Sequence, residues 1–131
     1  MSTTTTSDTG TNETSTTVET YFDTYNETDP ARRAALIERA WTSDGRHVDP
    51  LLDVEGHDAL GEMIAGVQAR FPEHRIRRTS GVDHHHDQVR WSWELAGPDG
   101  TVVVAATDIG ELADDGRLRR VAAFFGDLPQ P

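Results

Sequence analysis

Two carboxylates and one phenol occupy positions from which their side chains can meet inside a small domain. Tyr21 lies on the apolar face of the first predicted helix, and Asp49 ends a short strand directly before Pro50. Asp108 lies in a later strand and shares a face with the small or apolar residues Val102, Val104 and Ala106. Carboxylates and phenols exchange protons with bound molecules, and converging titratable groups mark functional sites. The three residues therefore predict acid–base chemistry in a pocket.

Each of the three also has a purely structural interpretation. A tyrosine on an apolar helix face is commonly a core residue with a satisfied hydroxyl. An aspartate before proline is a frequent turn residue whose carboxylate accepts from nearby backbone N–H groups. Asp108 could pair with Arg120 of the neighbouring strand, and the opposite face of its own strand is also apolar. These alternatives stay open at the level of sequence.

The histidines invite comparison with a metal site. His84, His85 and His86 are consecutive, and His84 and His86 would share a face of a strand. They lack a clear third ligand and lie near a strand end, which favours a solvated turn, so we predict no metal. His74 begins a strand and is a secondary candidate for a pocket wall. The sequence contains no glycine-rich phosphate loop, Gly-x-Ser-x-Gly or His-Glu-x-x-His, and we predict that no cofactor is needed.

Three helices and an early strand are predicted before residue 73. Residues 1–15 are polar and threonine-rich, which predicts a disordered tail before a single domain at 16–131. The first helix begins near Thr17. A second helix begins at Asp29 and Pro30, carries Trp41 on its apolar face and ends at 43–45. A strand then covers 46–49, and a third helix ends before Pro72.

From Glu73 onward the apolar period changes from 3.6 to 2, which predicts strands. The expected strands cover about 74–84, 88–95, 101–112 and 117–125. In the second of them the large residues alternate with polar ones and form an inward face of Val89, Trp91, Trp93 and Leu95. Hairpin turns are predicted at 97–100 and 114–116. The order indicates an α+β domain that ends in an antiparallel meander.

Composition narrows the classes of partner. The chain has 131 residues, enough for one domain, and 23 acidic against 12 basic residues give a net charge of −11. A field of that sign repels phosphate backbones and anionic lipids, so neither nucleic acid nor a membrane surface is expected. Cysteine is absent, which excludes disulfides and thiolate ligands. With neither an apolar span nor a visible signal peptide, we expect a cytoplasmic protein.

Several short motifs, in order, resemble the nuclear-transport-factor-2-like superfamily, particularly its SnoaL-like (polyketide cyclase-like) and ketosteroid isomerase members. The motifs are Trp41-x-x-Asp44-Gly45, Val48-Asp49-Pro50, Gly56-His57-Asp58-Ala59, Asp114-Asp115-Gly116-Arg117 and Phe124-Phe125-Gly126. The resemblance covers residues 17–128. It implies a cone in which a strongly curved antiparallel sheet wraps around a long helix and leaves an apolar pocket. It also implies homodimers formed through the outer sheet faces.

The resemblance to ketosteroid isomerases implies catalytic roles for the three residues. Asp49 would be the base that takes a proton from carbon beside a carbonyl, while Tyr21 and a protonated Asp108 would donate hydrogen bonds to the oxygen. The pocket wall would come from five apolar residues, with His74 as a secondary member: Trp41, Met63, Val67, Trp93 and Phe125.

The resulting hypothesis is a small-apolar-molecule-binding acid–base enzyme without a cofactor. It would be an isomerase or cyclase acting on an apolar cyclic or polyketide-like substrate. Relatives that hydrolyse epoxides place an arginine between two carboxylates, and no arginine is clearly inside here. Dehydratase relatives use a histidine with an aspartate, which His74 or His86 with Asp49 could imitate. The alternative from another class is a non-catalytic ligand-binding or dimerisation domain, since fold does not imply function.

Overall fold

The computed structural model describes the backbone of residues 4–131 and the side chains of residues 13–131. Three helices are present, α1 (Thr4–Asn26), α2 (Pro30–Ala40) and α3 (His57–Arg70). Helix α1 begins at Thr4, whereas its apolar spacing predicted a start near Thr17. Thr14 is already buried and its Oγ1 lies 3.5 Å from Nδ1 of His84. The division into a tail at 1–15 and a domain at 16–131 stays a prediction, and residues 1–3 lie outside the described part.

Helix α2 begins where the sequence predicts and ends earlier. The Asp29 carboxylate accepts from the backbone N–H of Arg32 at 2.9 Å, and Pro30 occupies the first helical turn. Trp41 is extended, with φ −122° and ψ 145°, and belongs to the following strand. The expectation that Trp41 lies on the helix face is therefore wrong. Aromatic residues suit strands, and here Trp41 pairs with Leu118 instead of continuing the helix.

Seven strands form one mixed sheet. They are β1 (Trp41–Val48), β2 (Asp53–Glu55), β3 (Arg75–Arg78), β4 (Asp83–His85), β5 (Gln88–Ala96), β6 (Val102–Leu112) and β7 (Leu118–Phe125). The order is β2-β1-β7-β6-β5-β3, with β4 also pairing β5. The predicted α+β class and the β5–β6–β7 meander are confirmed. Three details differ from expectation: β1 runs parallel to β7, β2 was not predicted, and the strand expected at 74–84 is divided into β3 and β4.

The core lies between the inner face of the sheet and the three helices. The largest fully buried side chains include Trp41, Trp91, Ile37, Leu60 and Leu118. Burying each such side chain contributes on the order of 1.5–3 kcal/mol. Gly110 lies at a close approach within the core, because a Cβ there would meet Val89 Cγ1 at 2.9 Å. Within the described residues no helix is long and apolar enough to cross a membrane.

Candidate functional site

A cavity of about 360 Å³ opens between α1, α3 and the inner face of the sheet. Its volume falls within the range that holds small organic ligands. The wall is almost wholly apolar. Its floor includes the buried side chains of Tyr21, Ile76 and Leu95, while Leu51 and Leu52 are exposed at the mouth. A ligand would therefore lose its contacts with solvent as it moves from the mouth to the floor of the cavity.

Tyr21 and Asp108 form a buried pair at the inner end of this cavity. Tyr21 is 2% exposed, and its hydroxyl donates to Oδ2 of Asp108 at 3.0 Å. Asp108 is fully buried on the inner face of β6, directly opposite Trp91 of β5. Among the described residues no arginine forms an ion pair with Asp108, so the bridge to Arg120 considered above does not form. Asp108 is not a wall residue and lies behind Tyr21.

Burial controls the protonation of this pair. It is the largest cause that raises the pKa of Asp108, to about 7, and the charge of Asp49 adds to the rise. Trp93, Tyr21 and Trp91 act in the opposite direction. Over residues 13–131 neither indole N–H, nor Oδ1 of Asp108, has a partner that meets hydrogen-bond geometry. The two indoles therefore influence the carboxyl as nearby dipoles instead of as formed hydrogen bonds.

The phenols keep their protons. Burial, followed by the charge of Asp108, raises the pKa of Tyr21 well above its usual range. Tyr25, whose ring centroid lies 5.3 Å from that of Tyr21, has its pKa raised by the same two causes. Tyr21 therefore keeps its O–H at physiological pH, and in this structure it donates that proton to Asp108.

Asp49 has a different environment at the other side of the cavity. Its Oδ1 accepts from the backbone N–H groups of Leu51 at 2.7 Å and Leu52 at 2.9 Å. Its Oδ2 lies 2.9 Å from Nε2 of His47, and only 11% of the side chain is exposed. The turn interpretation is thus present in the structure, yet Asp49 also lines the cavity. Three donors therefore fix the position of this carboxylate beside the cavity.

His47 is the residue that the sequence argument missed. It is 4% exposed, lines the cavity, and its Nδ1 has no hydrogen-bond partner among the residues described. A signal was available, because residues two apart in a strand share a face. His47 and Asp49 had that spacing at the end of β1.

The remaining predicted wall residues divide into two groups. Met63, Val67, Trp93 and Phe125 line the cavity, whereas Trp41 and His74 do not. Trp41 is 1% exposed and packs in the core against Tyr21, with ring centroids 5.9 Å apart. Nδ1 of His74 lies 2.9 Å from the carbonyl of Pro72, and its ring packs against Phe71. The wall also contains residues that were not predicted, including Tyr25, Leu51, Leu52, Arg70 and Phe71.

The consecutive histidines lie away from the cavity, at the β4–β5 turn. Nε2 of His84 lies 2.9 Å from the carbonyl of His86, and Nδ1 of His85 lies 3.1 Å from Nδ1 of His86. In the part of the chain that the structure describes, no group of three or more histidine or acidic side chains could hold a metal ion. The chemistry available at the cavity is therefore that of a carboxylate, an imidazole and a phenol backed by a second carboxyl.

Comparison with known proteins identifies the family. The model of the SnoaL-like domain matches residues 18–121. A crystal structure from Agrobacterium tumefaciens, provisionally named an isomerase of the SnoaL-like family, shares 34% identity and a TM-score of 0.82. The alignment covers 88% of this chain and 99% of that one. No curated protein matches the sequence significantly.

More distant structures share the fold. A protein of Jannaschia sp. CCS1, provisionally named a SnoaL-like polyketide cyclase, has 20% identity and a TM-score of 0.70 over 87% of this chain and 85% of that one. An NTF2-like protein of unknown function from Exiguobacterium sp. 255-15 has 24% identity and a TM-score of 0.65 over 86% and 99%.

Proposed function

Because this chain belongs to the SnoaL-like domain family, we propose that its cavity binds a small apolar carbonyl compound and moves a proton at the adjacent carbon. The reaction would be an isomerisation or an aldol-type ring closure of a cyclic or polyketide-like substrate, with no cofactor. The observation that carries the proposal is that Asp49 lines the same cavity as Tyr21, whose hydroxyl is hydrogen-bonded to the buried Asp108. The provisional isomerase name of the Agrobacterium tumefaciens relative supports it.

Asp49 is the base in this mechanism. Its Oδ2 takes the proton from the carbon beside the carbonyl, and the bonding electrons move toward the carbonyl oxygen to form an enolate. Returning the proton to another carbon completes an isomerisation. In a ring closure the enolate carbon attacks a second carbonyl, and the oxygen of that carbonyl takes the proton back from Asp49. His47 holds Oδ2 in place, and the amides of Leu51 and Leu52 hold Oδ1. The carboxylate is thus fixed before the substrate arrives.

Tyr21 stabilises the enolate oxygen. In the unliganded structure its proton is directed at Asp108. Since Asp108 has a pKa of about 7, its protonated form can instead donate to the Tyr21 oxygen, which frees the phenol proton for the ligand. Asp108 thus acts through Tyr21. The apolar surroundings strengthen both hydrogen bonds, because charge is poorly screened there.

The test is turnover of a β,γ-unsaturated cyclic ketone such as cyclohex-3-en-1-one, whose conjugated isomer absorbs in the ultraviolet. We expect isomerisation by the native protein and a loss of about a thousandfold in Asp49→Asn, since general base catalysis contributes on the order of 10²–10⁴. Asp53→Asn is the matched control, because Asp53 pairs with Arg46 on the surface outside the cavity wall. Equal rates in the two variants would contradict the proposal.

One observation favours a non-catalytic binding domain as the second candidate. Both oxygens of Asp49 already have hydrogen-bond partners, as expected of a residue that only stabilises its turn. In that case Asp49→Asn would alter the melting temperature, and the cavity would bind apolar molecules without turning them over.

We further propose that two copies associate through the outer face of the sheet. Val103, Ile109 and Phe124 are 44%, 41% and 59% exposed and lie on the face opposite Asp108. Exposed apolar residues that share one face commonly mark an interface. Sedimentation should give the mass of a dimer for the native chain and of a monomer for Ile109→Glu. A native monomer would contradict the association without affecting the cavity proposal.

A further inference from the structure

One cationic side chain lies in the otherwise apolar wall of the cavity. Arg70, in the last turn of α3, is the single guanidinium among the residues that line it. It is exposed, so it lies at the mouth, whereas Tyr21 at the floor is 2% exposed. The cavity therefore has a phenol donor at its inner end and a positive charge at its outer end.

Arg70 has no acidic partner in the part of the chain that the structure describes. Five other arginines form ion pairs with carboxylates, namely Arg46, Arg77, Arg90, Arg117 and Arg119. Arg70 shares this lack of an acidic partner with six other arginines of the described chain. Its guanidinium lies over the ring of Phe71, 5.7 Å from the centroid. That contact places the guanidinium against the ring, and its N–H donors have no partner among the residues described.

The acidic residue of the same wall does not satisfy Arg70. The oxygens of Asp49 are occupied by His47 and by the amides of Leu51 and Leu52. The charge of Arg70 is therefore available to something that enters the cavity. A planar guanidinium binds oxyanions such as carboxylates through two parallel N–H donors.

The net charge of −11 bears on the role of Arg70 in binding an anionic ligand. A strongly acidic protein repels anionic ligands, and the repulsion is felt over about 10 Å at moderate salt. A guanidinium at the mouth opposes this repulsion locally. A neutral apolar ligand would need no such feature.

We propose that the ligand of this cavity is an amphipathic anion, an apolar cyclic ketone whose carboxylate binds Arg70 while its carbonyl oxygen faces Tyr21. The inference deepens the proposed function and rests on it, because it takes the reacting carbonyl to lie at the inner end. The apolar rings would contact Met63, Val67 and Trp93 between the two polar ends.

Three aromatic probes separate the contributions to binding. These are 2-naphthol, 6-hydroxy-2-naphthoate, which carries its carboxylate at the far end of the rings, and the methyl ester of that acid. At low salt we expect the acid to bind about five- to tenfold more tightly than the ester, as for a partly exposed charge-assisted pair. Arg70→Gln should abolish this preference without altering the affinity for 2-naphthol. Arg32→Gln, the same change at an exposed arginine on α2 outside the cavity wall, should preserve it.

The outcomes distinguish this inference from the proposal beneath it. If the acid binds no better than the ester, or if Arg70→Gln leaves the preference unchanged, the carboxylate ligand is excluded while the proton-transfer site stands. If Tyr21→Phe leaves the affinity for all three probes unchanged, the ligand oxygen does not face Tyr21 at the inner end. If the preference for the acid over the ester is lost in Arg70→Gln alone, the anion site at the mouth is still supported. Failure of all three probes to bind would overturn both.

Discussion

Asp49 and Asp108 are the same chemical group in two opposite environments. Asp49 lines the cavity wall, where two backbone amides and His47 surround its oxygens. Asp108 lies behind the cavity floor, where burial raises its pKa to about 7 and its Oδ1 has no partner over residues 13–131. Because donors stabilise an ionised carboxylate and burial destabilises one, the first suits a base and the second an acid.

Among the variants that test these two environments, Tyr21→Phe should have the largest effect on turnover. The change removes the proposed donor to the enolate oxygen, and loss of one such donor typically lowers turnover by about 10²–10³. It also removes the hydrogen bond to Asp108, which should lower the free energy of unfolding by about 1–3 kcal/mol. Isomerisation rate and chemical denaturation measure the two effects. A fall in stability alone, with turnover retained, would leave Tyr21 as a core residue.

The second prediction concerns the pH dependence of stability. Since the folded pKa of Asp108 lies above the unfolded value, the folded state binds this proton more tightly. Its contribution is therefore greatest below about pH 4 and is lost as the pH rises to about 7, by at most about 4 kcal/mol. Asp108→Asn removes this dependence. The difference in unfolding free energy between native protein and variant should change with pH across that window.

Surface carboxylates provide the contrast within the same titration. Hydrogen bonds donated by Arg46 lower the pKa of Asp53, and hydrogen bonds donated by Thr101 lower the pKa of Asp99. Protonating such carboxylates at acid pH lowers the free energy of unfolding, which is the opposite of the effect expected for Asp108. The native protein and Asp108→Asn both contain these surface carboxylates, so their effect cancels in the difference. A pH-independent difference between native protein and Asp108→Asn would show that Asp108 is ionised in the fold and would remove it as a donor.

A smaller effect is expected at His47. Replacement by leucine leaves Oδ2 of Asp49 without its side-chain donor, while glutamine keeps an N–H donor near the same place. We expect turnover to fall by about tenfold in His47→Leu, the value of a net hydrogen bond to a charged group, and to recover in part in His47→Gln. The loss should be in kcat more than in KM, because His47 positions the base. Equal losses in both variants would indicate a packing role only.

Several helix boundaries, turns and strand faces could be predicted from local sequence patterns. Asp29 and Pro30 begin α2 as predicted, and the turns at 97–100 and 114–116 carry Gly100 and Gly116 at φ +85° and +88°. Alternation also predicted that Asp108 faces inward with Val104 and Ala106. These features depend on neighbours in sequence, which is why single-sequence reasoning found them.

The rest depends on contacts between distant segments. The parallel pairing of β1 with β7 brings residues about 75 positions apart together and converts Trp41 from a helix residue into a strand residue. The cavity mouth combines the β1–β2 loop, the end of α3 and the end of β7, so Leu51 and Arg70 had no local signal as wall residues. His47 had such a signal, since it lies two residues before Asp49 on one strand.

The most direct test of the proposed site is the affinity for a phenol acidic enough to be ionised at neutral pH, such as pentafluorophenol, because its charged oxygen resembles that of an enolate. If Asp49 is ionised beside the ligand and Tyr21 donates to its oxygen, Asp49→Asn removes a repelling charge and should tighten binding by about tenfold. Tyr21→Phe should weaken it, and Asp53→Asn should leave it unchanged. Equal affinity in Asp49→Asn and the native protein would contradict the proposal, because Asp49 would then not lie beside the ligand that Tyr21 binds.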